Sequence, residues 1–116
     1  MVIDFHTHTF PDRIAKATIE SLSKCSGITP YTDGTTTGLK RSMQEGKVDI
    51  SVILPVVTKP VQFETVNRVA AKLCEQEEGL ISFGGIHPDC ADIRRKVKEI
   101  KSLGLKGIKI HPAYQE

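Results

Sequence analysis

Between Val48 and Leu54 the chain runs Val-Asp-Ile-Ser-Val-Ile-Leu, a nearly continuous β-branched stretch bounded by Gly46 and Pro55. A strand with one wet face alternates apolar and polar residues; a run like this one reads as a strand buried on both faces. Such strands belong to parallel sheets, whose neighbours must be joined by crossovers rather than tight hairpins. The rest of the sequence supplies them. Val2 to Phe5, Leu80 to Gly85 and Gly107 to Ile110 are further short β-type segments. Between them lie stretches with apolar residues at helical spacing. Pro11 and Asp12 open the first, with Ile14, Ala15, Thr18, Ile19, Leu22 and Cys25 on one face. The Gly/Thr/Pro-rich stretch from Ser26 to Gly38 reads as loop, and a shorter helix carrying Leu39 and Met43 ends at Gly46. A helix from Phe63 to Glu78 places Val66, Val69, Ala70, Leu73 and Cys74 together. The last helix carries Ile93, Val97, Ile100 and Leu103 and stops at Gly104.

Strands alternating with helices specify βαβ units and an α/β fold with right-handed crossovers. Two architectures satisfy that pattern: a doubly wound open sheet, or part of a (β/α) barrel. The first βα connection has no G-x-G-x-x-G and no G-x-x-x-x-G-K, so nothing supports a nucleotide-binding open sheet. It carries histidines instead, which favours the barrel.

The 116 residues suffice for one domain, and a net charge of +2 gives no reason to expect a nucleic-acid or membrane partner. No apolar run is long enough to span a bilayer. The opening MVIDFHTHTF lacks a secretory pattern, and Cys25, Cys74 and Cys90 are odd in number and widely spaced. The expectation is unpaired thiols and a cytoplasmic setting. Cys90 lies near His87, and its preferred reading is a small residue opening a helix. Arg94, Arg95, Lys96, Lys98 and Lys101, interleaved with Asp92 and Glu99, read as a solvated helix face rather than an anion-binding stripe.

His6 and His8 are the sharpest chemical signal. Residues two apart on a strand point to one side, so both imidazoles can aim at one point beyond the strand's C-terminal end. That end is where active sites form in parallel α/β proteins, and neutral imidazole is a good ligand for zinc and similar cations. Asp4, one step deeper on the same side, is placed to support a ligating histidine as an outer carboxylate. The alternative is a half-exposed loop tripeptide without a metal. His87 and His111 close the third and fourth strands, each followed by proline, so all four histidines of the chain fall at C-terminal strand ends. For His87 and His111 two roles stay open: rim residues bonded to backbone, or substrate-binding or metal-adjacent groups. Lys109 shares the side of His111. An ion pair with Asp4 or another strand-end acid is the expected arrangement, ahead of a substrate contact or a metal-bridging carbamate.

The segments IDFHTHTFPDRIA, SFGGIHPD and GLKGIKIHPAYQE together resemble, in order, the amidohydrolase-related proteins that include aminocarboxymuconate-semialdehyde decarboxylase-like enzymes. The resemblance covers essentially the whole chain. It implies the N-terminal half of a (β/α)8 TIM barrel, four parallel strands with intervening helices, spanning residues 1–116. It also implies one divalent metal, expected to be zinc, held in part by His6 and His8, with further ligands and a catalytic aspartate on later strands. The function implied is hydrolysis of C–N or ester-like bonds, or cleavage of a C–C(carboxylate) bond in a small molecule, by metal-activated water. A complete barrel takes about 250 residues. The isolated chain is therefore expected to be truncated and to have little or no activity, and its open edges invite a homo-oligomer.

Three rivals are weighed against this. GIHPD at Gly85 to Asp89 resembles the third-strand motif of TatD-like metal-dependent deoxyribonucleases, but those carry a fourth-strand glutamate where this chain has Lys109 and His111. The PHP phosphoesterases also open with H-x-H, but the T-D-H motif expected after the second strand is missing from LPVVTKP. The third rival is a non-catalytic, oligomerising half-barrel remnant.

Overall fold

In the computed structural model, which describes residues 1–115, Ser51, Val52, Ile53 and Leu54 are all buried. Strand β2 (Ile50–Ile53) lies at the centre of a three-stranded parallel sheet between β1 (Ile3–Thr7) and β3 (Leu80–Ser82). A second parallel pair joins β4 (Gly84–Gly85) to β5 (Ile108–Lys109).

Residues 80–85 read from the sequence as one strand, yet they form two. The chain changes neighbours at Phe83. Its N–H donates to the Ile53 carbonyl at 3.0 Å, whereas the next N–H, of Gly84, donates to the Gly107 carbonyl at 2.8 Å. The switch places two glycines where other elements press closest. A Cβ on Gly84 would stand 2.7 Å from Ile100 Cγ2, and one on Gly85 would stand 3.0 Å from the Pro55 carbonyl oxygen.

Four helices fill the crossovers: α1 (Asp12–Ser26), α2 (Thr36–Gly46), α3 (Phe63–Gln76) and α4 (Ile93–Ser102). Thr35 caps α2 by accepting the Gly38 N–H at 2.9 Å, and Asp92 caps α4 by accepting that of Arg95 at 3.2 Å. Pro11 occupies the N-cap of α1 rather than its first helical position. Gly46 is the last residue of α2, as expected, but it does not supply the left-handed cap. Lys47, one residue on, takes the left-handed conformation (φ 52°), donating its N–H back to the Met43 and Gln44 carbonyls.

Two apolar clusters hold these layers together. Leu39 and Met43 of α2 pack on Ile53 and Leu80, with Val48 and Leu73 at the margin. Phe63, Ala70 and Ala71 of α3 pack against Ile86, Cys90, Ile100 and Leu105 beside β4. The basic face of α4 is solvated as expected, except that Lys96 lies over the Phe63 ring, 4.1 Å from its centroid. By contrast, α1 contributes only Ala15 to the buried set. The result is an α/β domain of four helices and small parallel sheets. No helix of the described residues is long and apolar enough to cross a membrane. Cys25 is exposed, Cys74 half-buried and Cys90 buried, and all three thiols are free.

Candidate metal centre

The histidine pair is built by an irregularity in the edge strand. Asp4 pairs with Ser51 and Thr7 with Ile53, so β1 uses three steps where β2 uses two. One extra residue therefore sits around His6, a bulge of the kind that re-aims a side chain. The His6 N–H donates to Asp4 Oδ1 at 3.2 Å instead of to the neighbouring strand. Thr7 then locks the strand down, its hydroxyl donating to the Val52 carbonyl at 2.8 Å.

Beyond this point the two rings meet. His6 Nε2 and His8 Nε2 lie 3.1 Å apart, with ring centroids separated by 5.0 Å. His8 Nδ1 is 2.9 Å from the Leu54 carbonyl oxygen. A carbonyl can only accept, so this nitrogen carries the proton and the lone pair of neutral His8 sits on Nε2, turned toward His6. Two nitrogens bound tetrahedrally to zinc at about 2.0–2.1 Å would be about 3.3 Å apart. The observed spacing fits a shared divalent cation. Leu54 fills the outer-partner role that the sequence assigns to Asp4, whose carboxylate is engaged by backbone instead. Among the described residues, no group of three or more His, Cys, Asp and Glu side chains is placed to hold a metal.

His8 has its pKa lowered below the ordinary 6.5. Burial is the main cause and the adjacent His6 the next; the Leu54 carbonyl pulls the other way, and Lys109 and His111 add smaller repulsions. A histidine whose folded pKa is depressed stabilises the fold above its unfolded pKa. That contribution is lost as pH falls through the folded value. Lowering the pH from about 7 to about 5 is therefore expected to reduce the urea midpoint, and His8→Gln should flatten this dependence. An unchanged slope in the variant would show that His8 does not govern it. The same shift keeps the ligating form of His8 available at lower pH than an unperturbed histidine would allow.

The other predicted residues are placed differently. His87 is buried, and its Nδ1 accepts the Asp89 N–H at 3.1 Å, which commits the ring to its own turn. It is not among the residues lining the cleft described below. Lys109 is half-buried, and the expected ion pair is not formed: no carboxylate of the described residues lies within 4.0 Å of it. His111 stacks on Tyr114, ring centroids 4.2 Å apart, and its Nδ1 is buried with no hydrogen-bond partner among the described residues.

Two residues that position the site are not singled out by the sequence. Gln115 is buried and braces three loops. Its amide donates to the Val57 carbonyl at 2.7 Å and the Ile86 carbonyl at 2.8 Å, while its oxygen accepts the His111 N–H at 3.0 Å. Asn67 is fully buried in α3. It donates to the Phe63 and Gly85 carbonyls, both at 2.8 Å, and accepts the Gly85 N–H at the same distance. Its one sequence signal is a polar residue on the apolar stripe that runs through Phe63, Val66 and Ala70.

A cleft of about 750 Å³ opens beside the histidines, between α1 and α3. His8, His111 and Tyr114 line part of it, and most of its wall is aliphatic. Comparison of the chain with family models, curated proteins and solved structures finds no match.

Proposed function

We propose that this chain carries the first metal-ligand pair of a metal-dependent hydrolase of the amidohydrolase type, in the N-terminal half of a (β/α)8 barrel. Its substrate would be a small molecule with a C–N, ester-like or C–C(carboxylate) bond to cleave. The observation that carries the reading is the 3.1 Å approach of two Nε2 atoms, one of them turned by a carbonyl behind its own ring. Without a cation, such a pair is held only by His6 donating a proton to His8. A divalent metal bound there would polarise a substrate oxygen and acidify water. His6 and His8 would hold it, and the Leu54 carbonyl would fix the ring that points at it. Lys109, half-buried and without a carboxylate partner among the described residues, would offer positive charge to an acidic substrate.

The test is a zinc titration of the metal-stripped full chain near pH 7.5, followed by calorimetry. One zinc per chain is expected, with affinity falling at acid pH as protons compete for the ligating nitrogens. Absence of saturable binding would remove the hydrolase reading. With two ligands and no third side chain grouped with them among the described residues, turnover by the isolated chain is expected to be slight.

The same reading leaves β1 and β5 as outer strands, and apolar side chains lie open there: Phe5 is 61% exposed and Ile110 53%. Docking β5 against β1 of a second copy would continue the parallel order and cover them. Light scattering is expected to report a dimer that Phe5→Lys weakens at least tenfold. A wild-type monomer at every concentration removes self-pairing.

A further inference from the structure

The charges of α4 interleave along the sequence but not around the helix. Residues 92–106 hold six of the sixteen Lys and Arg residues and only two of the fourteen Asp and Glu, so the rest of the chain is net negative. At 3.6 residues per turn, Arg94, Lys98 and Lys101 recur at i, i+4 and i+7 and share one flank of α4. Arg95 and Glu99 share the other flank, where Arg95 Nε lies 3.4 Å from Asp92 Oδ2. Helical geometry thus sorts the unpaired bases away from the acids. Arg94, Lys98, Lys101 and Lys106 are all exposed, and no carboxylate of the described residues lies within 4.0 Å of any of them.

This basic flank borders a groove. Between α4 and β5 lies a recess of about 520 Å³, lined by the buried Ile100 and Leu105 and by Val97 and Ile108, each 38% exposed. Lys101 and Lys106 also line it, and Gly104 adds no side chain to it: a Cβ there would meet nothing within 4 Å. Shape and lining discriminate among anionic partners. A bilayer takes up apolar side chains that protrude, whereas these line a recess. Single-stranded nucleic acid stacks its bases on rings, and no aromatic residue lines the groove. A groove between a helix and the end strand of a parallel pair is the seat that a further helix takes in an α/β layer.

We propose that the groove between α4 and β5 docks an acidic amphipathic helix of a partner protein, its apolar stripe on Val97 and Ile108 and its carboxylates against Arg94, Lys98, Lys101 and Lys106. The apolar contact supplies attraction that persists in salt, and the bases select the sign and the orientation of the partner. The assignment depends neither on the histidine pair nor on any hydrolase activity.

The probe is a labelled helical peptide of about 14 residues, about 21 Å long, with leucines along one face and glutamates on both flanks. It is titrated with the full chain and followed by fluorescence anisotropy. Saturable one-to-one binding is expected, weakened about tenfold or more when glutamine replaces each glutamate, and by a similar factor in about 0.5 M salt. Lys101→Glu with Lys106→Glu should weaken the peptide about tenfold or more while keeping the circular dichroism of the wild type. Lys16→Glu with Lys72→Glu changes the net charge equally at exposed positions of α1 and α3 and should leave the affinity unchanged. Val97→Gln should weaken the peptide without altering its salt dependence. No saturable binding, equal binding of a scrambled peptide of the same composition, or wild-type affinity in the folded Lys101 and Lys106 double variant overturns the proposal. So does tighter binding to phosphatidylserine vesicles, which would give the groove to a bilayer. A halving of the chain's mass in that double variant, read by light scattering, would give it to a second copy and overturn the proposal equally.

Discussion

Asn67→Leu is expected to lower the unfolding free energy by about 3 kcal/mol, read as a shift of the urea midpoint with the slope unchanged. Leucine has the same branched heavy-atom skeleton and leaves no cavity, so the loss comes chiefly from hydrogen bonds. Asn67 is the partner of both the N–H and the carbonyl of Gly85. Leucine would leave both backbone groups buried and unpaired, at about 1–3 kcal/mol each. The Phe63 carbonyl, also bonded by Asn67, keeps its helical partner and should matter less. Against the 5–15 kcal/mol typical of a domain, this is a large fraction. A loss below about 1 kcal/mol would mean that β4 finds another partner for Gly85, and that α3 is not fixed in the way described.

The second large effect concerns the cation. His6→Ala with His8→Ala is expected to abolish zinc binding, and either single substitution should weaken it by about a hundredfold or more, since one imidazole alone cannot chelate. The two single variants should differ in their pH profiles. With His6 alone remaining, binding should disappear at higher pH than in the wild type, because the ring that burial keeps neutral is gone. His87→Ala is the control. Its ring is committed to the Asp89 N–H, so zinc stoichiometry should not change. Undiminished zinc binding in the double variant would mean that other side chains hold the metal and that the meeting of the two rings is incidental.

The α/β alternation and parallel pairing are legible in the sequence because they follow from hydrophobic periodicity, which burial enforces strongly. The meeting of His6 and His8 is legible for a similarly simple reason, a two-residue strand period. The details that set its geometry are not. Nothing local announces the extra residue between Asp4 and Thr7, which is defined only by the strand beside it. The split at Phe83 is equally non-local, since it marks a change of neighbour within a single extended run. Pattern reading also predicts which stripe of a helix is apolar without predicting that another stripe will reach it. The face of α1 was legible, and the cleft it borders was not. Asn67 and Gln115 escape because the partners they tie across the fold are main-chain atoms 18 to 58 residues away, and backbone carries no sequence label. Lys109 shows the converse: its charge invites a partner acid, and the fold brings none of the described ones within reach.

Of the residues of β1, only Thr7 is buried, whereas β2 is almost wholly enclosed. The strand that carries both imidazoles is thus the one with the least to lose by peeling away, and its amides are expected to exchange with solvent sooner than those of the central strands. A cation gripping both rings would act as a clasp on that loose margin. Part of its intrinsic attraction would be spent on quieting the strand, and slower amide exchange after loading would measure how much.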